Sequence, residues 1–541
     1  MQKVKKIFED YFKEWIYLYP LEASYLGFNI LEEIEEIPVP ISEEFREKEK
    51  SIYKKYYEIS KKLENTSDEK QKIYMDAFKF TLEISLKELE FPDHLLPINH
   101  FYSFHLLFPS ICSGLNQSFK EKRDLEIFYK KIHFFQRWAK EVISNLEKGM
   151  SLKINLPLPV VEKIISQMEF FLKKNKNQNP CFKPIFIMEK EYRGKEKRKE
   201  IERVEKEIRE KVLVSYEEIS SFLKEKYINK CKNETGFFNL PDGVLWYKAK
   251  ILKYTTLKLE PEEIYQEGIE ELKELKEKNK ILKAEEFNLK EPLDFLRKYS
   301  KNLKLKLAKY FYKIPKRDFK IIPAEKFKER SAPLGEYFLG GIDEREKPIF
   351  YLNLKLAKNK PLGEILAIFF HEIMPGHHLQ LSLQRENKKL PSFLRYHFFD
   401  SFVEGWALYS ENLAWEIGLV KEESYKKAVL KNQIWRTLRL ILDTGIHLGK
   451  IKKEKAMEIL MKEGKFTKKH SEIEVLRYAV LPGQALTYKV GEKFFLKLKE
   501  EAQNKFREKF NIKDFHNVLL EDGSLPLPIL EKKFKMWIKN I

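Results

Sequence analysis

Residues 362–380, LGEILAIFFHEIMPGHHLQ, run an apolar helical pattern straight into a proline-glycine break flanked by histidines. Leu362, Ile365, Leu366, Phe369 and Phe370 recur on one helical face, which places the segment in a core. His371 and Glu372 emerge from that same helix, where an imidazole and a carboxylate are costly unless partners satisfy them. Pro375 removes an N–H and clashes with the carbonyl four residues back, and Gly376 permits backbone angles that other residues resist. The chain must therefore bend inside its own core, just after two polar side chains.

In the common H-E-x-x-H pattern, two histidines four residues apart reach one ion from one helical face. Pro375 occupies the second of those positions and closes that arrangement. A kink across Pro375–Gly376 can swing His377 toward His371, whereas an undistorted helix presents His378 instead. The residues leave both open, and a third reading has the histidines capping a broken helix end. A second stretch, SFVEGWALYSENLAWEIG (401–418), sets Glu404 among Phe402, Val403, Trp406, Ala407 and Leu408. The interval between residues 377 and 404 has room for a turn and a returning helix. Two histidines and a glutamate leave a coordination position open, the donor set of a hydrolytic zinc site. Asp400, one turn before Glu404, and Glu411, two turns after it, are placed to orient a ligand histidine. The competing reading of Glu404 is a core ion pair with an arginine.

Elsewhere helical periodicity dominates. Residues 1–90 hold several helices with breaks at Pro20 and IPVPIS (37–42), and residues 120–172 hold two more. NKNQNPCFKP (175–184) and NKCKNETGFFNLPDG (229–243) are loops by composition, with a charged helix or helical pair over 190–227 between them. Strand signals lie between 318 and 354: FKIIPA is short and β-branched, and GEYFLGGIDEREKPIFYLNL reads as a hairpin. The pattern predicts one mostly helical body with a small β-sheet just before the histidine helix.

Cys112, Cys181 and Cys231 form no C-x-x-C pair, so a metal must be held by nitrogen and oxygen. The formal charge of +19 is interleaved with acids, as in EKEYRGKEKRKEIERVEKEIREK (189–211), which suits a solvated, ion-paired surface. No specific nucleic-acid partner is expected. No apolar run approaches the ~20 residues that cross a bilayer, and the N-terminus reads as an amphipathic helix rather than a signal peptide. The expected location is the cytoplasm, with no membrane partner.

HEIMPGHHLQ followed by EGWALYSE resembles the family called domain of unknown function 885, which is regarded as a family of zinc peptidases. The resemblance spans most of the chain. It takes in YPLEASYLGFN (19–29), LPDGVLWYKAKILKYTTLKLEPEEIYQEGI (240–269), FYLNL (350–354), DTGIH (443–447), EVLRYAVLPGQALTYKVG (474–491) and GSLPLPILEKKFKMWI (523–538). The family's HExxPGH motif puts the second metal ligand at His377. FVEGWALYSENLAW is similar to the segment of thimet oligopeptidase and neurolysin whose glutamate binds zinc, which falls on Glu404. Those enzymes and carboxypeptidase Taq are helical, two-lobed and channelled. The resemblance thus implies a mainly α, two-lobed zinc-peptidase body with a small antiparallel β-sheet next to the active-site helix. Residues 1–541 are expected to form one catalytic region. In it 1–230 is an N-terminal helical lobe, and 231–541 a catalytic lobe with a hairpin near 335–354. One Zn2+ per chain and short peptide substrates are implied.

On this reading Glu372 is the general base. Tyr488 is the first candidate donor to the developing oxyanion and His447 the second. Arg436, Arg439, Asp443 and His447 make one polar stripe, either a buried salt-bridge ladder or a wall of the substrate channel. Arg477 either binds a substrate carboxylate or serves a structural ion pair, and His378 is a further supporting or substrate-contacting residue. Two rivals use the same scaffold: an inactive peptide- or anion-binding protein, and a metal-dependent hydrolase of a non-peptide amide or ester.

Overall fold

Helix α1 (Gln2–Leu18) forms where Val4, Phe8, Tyr11 and Phe12 fall on one face, and all four are buried. In the computed structural model, residues 2–63, 68–114, 117–282, 285–324, 333–341 and 347–540 are described. Helix α2 (Glu43–Lys61) starts where the Ser42 hydroxyl accepts the Phe45 N–H, and α3 (Glu69–Glu88) where the Asp68 carboxylate accepts that of Lys70. The inner faces of these three helices join a core that also holds Leu296, Phe350, Phe369, Trp406, Phe495 and Phe534. A second core lies mostly within residues 98–227, where α4 (Lys122–Ser151) and α5 (Leu158–Lys173) bring together Phe128, Phe135, Trp138 and Val161. Residues 1–230 thus share no single core, because the first helices pack with the segment that carries the histidines. The charged stretch runs helically from Lys197 to Lys230 with side chains paired one turn apart, such as Arg209–Glu205 at 2.8 Å.

Helix α6 (Gly243–Thr255) precedes α7 (Pro261–Ile281), whose first residue is the proline. Three short strands follow: β1 (Lys320–Pro323), β2 (Gly335–Phe338) and β3 (Ile349–Leu352). β3 is central. It pairs antiparallel with β2, Tyr337 opposite Phe350, and parallel with β1, Ile321 opposite Phe350. The hairpin is present, but the sheet is mixed and not antiparallel. Successive strands alternate in direction, so placing the third in the middle makes its contact with the first parallel. The segment 342–346, expected as the hairpin turn, lies outside the described residues. Phe350 packs edge-on against Phe369, so the sheet covers the histidine helix.

That helix is α8 (Leu362–Glu372), and α9 (His377–Glu386) begins just beyond it. Then come α10 (Asp400–Glu416), α11 (Glu423–His447), α12 (Lys468–Val480) and α13 (Thr487–Phe506). α10 and α13 cross where Gly405 meets Gly491: a Cβ on Gly405 would lie 2.4 Å from the Gly491 Cα. The glycine of EGW is thus a packing requirement one residue from Glu404. No described helix is long and apolar enough to cross a membrane.

Candidate metal centre

α8 stops at Glu372, and the chain turns through Ile373 and a cis Met374–Pro375 bond before α9 starts at His377. The Gly376 N–H donates to the Phe370 carbonyl at 3.1 Å, so the backbone folds onto the last turn of α8. Trp406 of α10 donates its indole N–H to the Pro375 carbonyl at 2.8 Å, tying the glutamate helix to the break. This path sets the His377 ring edge-on to His371, with centroids 4.8 Å apart. His378 faces elsewhere. Its Nδ1 lies 3.0 Å from the Tyr337 hydroxyl and 3.3 Å from Ser382 Oγ, and its ring packs on Phe319.

Glu404 Oε2 stands 3.5 Å from His371 Nε2 and 3.6 Å from His377 Nε2. It is buried and has no hydrogen-bond partner. These separations exceed a hydrogen bond. They match the spacing, about 3.4 Å, of two donors each ~2.0–2.1 Å from a tetrahedral zinc ion. Ligand atoms of His371, His377 and Glu404 all lie within 4.8 Å of one another, and with the open side of such a site they fit a divalent cation.

Charge is balanced around the group. Burial opposes ionisation of Glu404, yet its contacts with His371 and His377 hold the carboxyl well below the usual carboxylate range. Burial likewise opposes the charged His371 ring, but Glu404 and Glu411 push its pKa up to about 9. Glu411 Oε1 accepts from His371 Nδ1 at 2.9 Å, while its Oε2 accepts from Asn432 of α11 at 2.9 Å. Glu411 therefore orients His371 and leaves Nε2 as the nitrogen that faces Glu404. If the cluster holds zinc, Glu411→Gln is expected to weaken that binding about 10–100-fold with the fold intact, as checked by competition against a zinc chelator and by circular dichroism.

The other candidates are spread around this group. Glu372 is part-buried at the end of α8, where burial raises its pKa against the pull of the two histidines. Asp400 is exposed at the start of α10, and no described hydrogen bond joins it to a ligand histidine; Glu411 alone has the orienting geometry. Crowding of the Asp400 carboxyl by protein atoms, and then the charge of Glu404, push its pKa up to about 6. A cavity of about 750 Å³ has Lys250, Lys253 and Tyr254 of α6 in its wall, but the ligand side chains are not part of its lining.

His447 is a correction. Its Nδ1 accepts from the Phe237 N–H at 3.1 Å, its Nε2 donates to the Tyr478 carbonyl at 3.0 Å, and its ring stacks on Tyr247. Burial lowers its pKa to about 4, so the ring is neutral, and its single N–H is already given to the Tyr478 carbonyl. Asp443 is similar, accepting from the Tyr247 hydroxyl and the Gly483 N–H. Tyr488 sits among arginines: Arg477 Nη2 is 3.4 Å from its hydroxyl, and the Arg439 guanidinium lies 4.5 Å from its ring centre. Arg477 also bonds Gln484 and lies 3.6 Å from Glu474. Asn432 and the indole N–H of Trp406 are site groups that periodicity alone does not single out. Asn432 lies one turn before Arg436 and extends the polar stripe, which is the signal the sequence offers for it.

The profile of the family described as "Bacterial protein of unknown function (DUF885)" matches residues 20–534. Among solved structures, a "putative lipoprotein" from Colwellia psychrerythraea superposes with a TM-score of 0.90 at 20% identity, covering 100% of this chain and 99% of that one. A "putative lipoprotein of unknown function" from Shewanella oneidensis superposes with a TM-score of 0.71 at 16% identity, covering 98% and 99%. At these identities the likeness concerns the fold. No curated protein matches the chain.

Proposed function

The chain belongs to the DUF885 family, whose description names no activity, and we propose from its own side chains that it is a zinc-dependent peptidase acting on short peptides. The observation that carries this reading is the unpartnered Glu404 oxygen aimed between two imidazole nitrogens, with a second carboxylate, Glu372, beside the first histidine. His371, His377 and Glu404 would hold the ion, and Glu411 and Asn432 would keep His371 turned toward it.

Bound zinc supplies Lewis acidity, polarising the attacked carbonyl and making water acidic. The chain's own part is positioning and proton transfer. Glu372 accepts a proton from the attacking water on its carboxylate and returns it to the nitrogen of the leaving amine. Burial favours the neutral carboxyl and so strengthens Glu372 as a base. A protein that merely bound peptides would have no use for this second carboxylate. Tyr488 is retained as a donor to the carbonyl oxygen through its phenol O–H.

The test combines metal quantification with a peptide-library digest read by mass spectrometry. About one zinc per chain is expected, with cleavage that a chelator abolishes and added zinc restores. Protein that holds no metal, or zinc-loaded protein that leaves every peptide intact, defeats the reading.

A further inference from the structure

One face of α11 carries Asn432, Arg436 and Arg439. Asn432 grips the Glu411 that orients His371, and Arg436 lies a single turn further on, about 6 Å along the axis. Arg436 is 5% exposed, with its guanidinium 4.2 Å from the Trp435 ring centre and 5.8 Å from that of Tyr488. Its Nε and Nη1 are buried without a hydrogen-bond partner. Arg439 and Arg477 also bury nitrogens without a partner, Nε and Nη1 of the first and Nε of the second, but both of these guanidiniums face a carboxylate. Arg439, 2% exposed, donates to Glu474 at 3.1 Å, and Arg477 lies 3.6 Å from the other oxygen of the same carboxylate.

The stripe on α11 therefore divides in two. Toward its end, Asp443 Oδ1 and both His447 nitrogens have packing partners, and Arg439 has Glu474. At Arg436 the ladder runs out of carboxylates. Glu411 and Glu404 are the acids whose charge reaches it, and both are engaged with His371. A buried guanidinium without a counter-ion is strongly disfavoured, and a planar fork is shaped to take a carboxylate through two parallel hydrogen bonds. Burial pulls the Arg436 pKa below its ordinary value, as expected for a cation still lacking its partner.

We propose that Arg436 anchors the free C-terminal carboxylate of a peptide substrate, with Arg439 and Tyr488 beside it, so that the chain is cut from its C-terminal end. This rests on the peptidase reading and adds the substrate's polarity to it. An amide-capped peptide lacks the group that completes the site.

The experiment is calorimetric titration of the Glu372→Gln protein, as purified, with a matched peptide pair, free acid and C-terminal amide. The acid is expected to bind about tenfold tighter or more. Adding Arg436→Gln should bring both peptides to the affinity of the amide, and Arg436→Lys should recover part of the preference. The thermal midpoint of ligand-free Arg436→Gln should not fall, because an unpaired buried charge has been removed; an arginine with a structural role alone would lower it. Equal binding of acid and amide, binding of neither, or a preference that survives Arg436→Gln overturns the proposal. So does equally tight binding of an amide-capped peptide ending in glutamate, which would assign the site to acidic side chains. The two readings fail separately. Acid preference without cleavage by the wild-type protein sinks only the peptidase, and cleavage with no acid preference sinks only the anchor.

Discussion

Glu372→Gln is expected to keep one zinc per chain while kcat for peptide hydrolysis falls about 10²–10⁴-fold, the contribution typical of a positioned proton acceptor. The substitution preserves shape and removes only basicity. None of the inferred ligands changes, since His371, His377 and Glu404 are untouched. Folding should not suffer either: burial and the charge of Glu404 already disfavour ionised Glu372, and a neutral amide relieves that repulsion. KM should move by no more than about threefold, because a proton transfer is completed in the transition state and not in the bound ground state. Metal analysis, steady-state kinetics and a thermal melt on one preparation decide the matter. If zinc leaves with the carboxylate, Glu372 is a ligand. If turnover survives, the proton acceptor is another group.

What the sequence shows of this site follows the reach of helical periodicity. His371 and Glu372 rising from an apolar helix, and Glu404 in apolar company, are visible because a buried ionisable group stands out against its own helix. Which imidazole meets His371 is another matter. Residues 377 and 378 differ by about 100° around an ideal helix, but α8 has ended before either is reached, so no helical wheel applies. The backbone path through Gly376 decides it, and the geometry brings His377 to His371. The choice between Asp400 and Glu411 is equally beyond spacing. Both lie near the Glu404 face of α10, and only the position of His371 Nδ1 singles out Glu411.

The remaining differences share a cause. His447 looks catalytic when its neighbours in the chain are all that can be seen; its partners, Phe237 and Tyr478, come from distant segments. Strand existence at β1 is legible in FKIIPA, but its parallel pairing depends on which strand takes the centre of the sheet. The first helices read as part of an N-terminal unit, yet Phe8 and Phe78 pack with Phe393 of the later half. Amphipathic faces state that they will be buried, and leave unstated against what.

Gly376→Ala is expected to destabilise the protein by about 3 kcal/mol or more and to reduce zinc affinity over about 100-fold, although alanine is an innocuous residue in most helices. The reason is contact with the backbone folded over Gly376, whose angles are φ −73° and ψ −137°. A Cβ there would stand 1.9 Å from the His371 carbonyl oxygen and 2.4 Å from that of Phe370. Both atoms are backbone and cannot swing aside, so the break must open. Opening it loosens the Gly376–Phe370 hydrogen bond and carries His377 away from His371 and Glu404. Gly418 provides the control. Its φ is +70° and a Cβ added there would meet nothing within 4 Å, so Gly418→Ala incurs backbone strain alone, about 1–2 kcal/mol, and should leave zinc binding unchanged. Urea midpoints measured with chelator separate folding from metal binding, and zinc competition then reads the site itself. Wild-type behaviour of Gly376→Ala in both assays would mean that α9 does not lie against the last turn of α8, and the convergence of the three ligands would lose its structural basis.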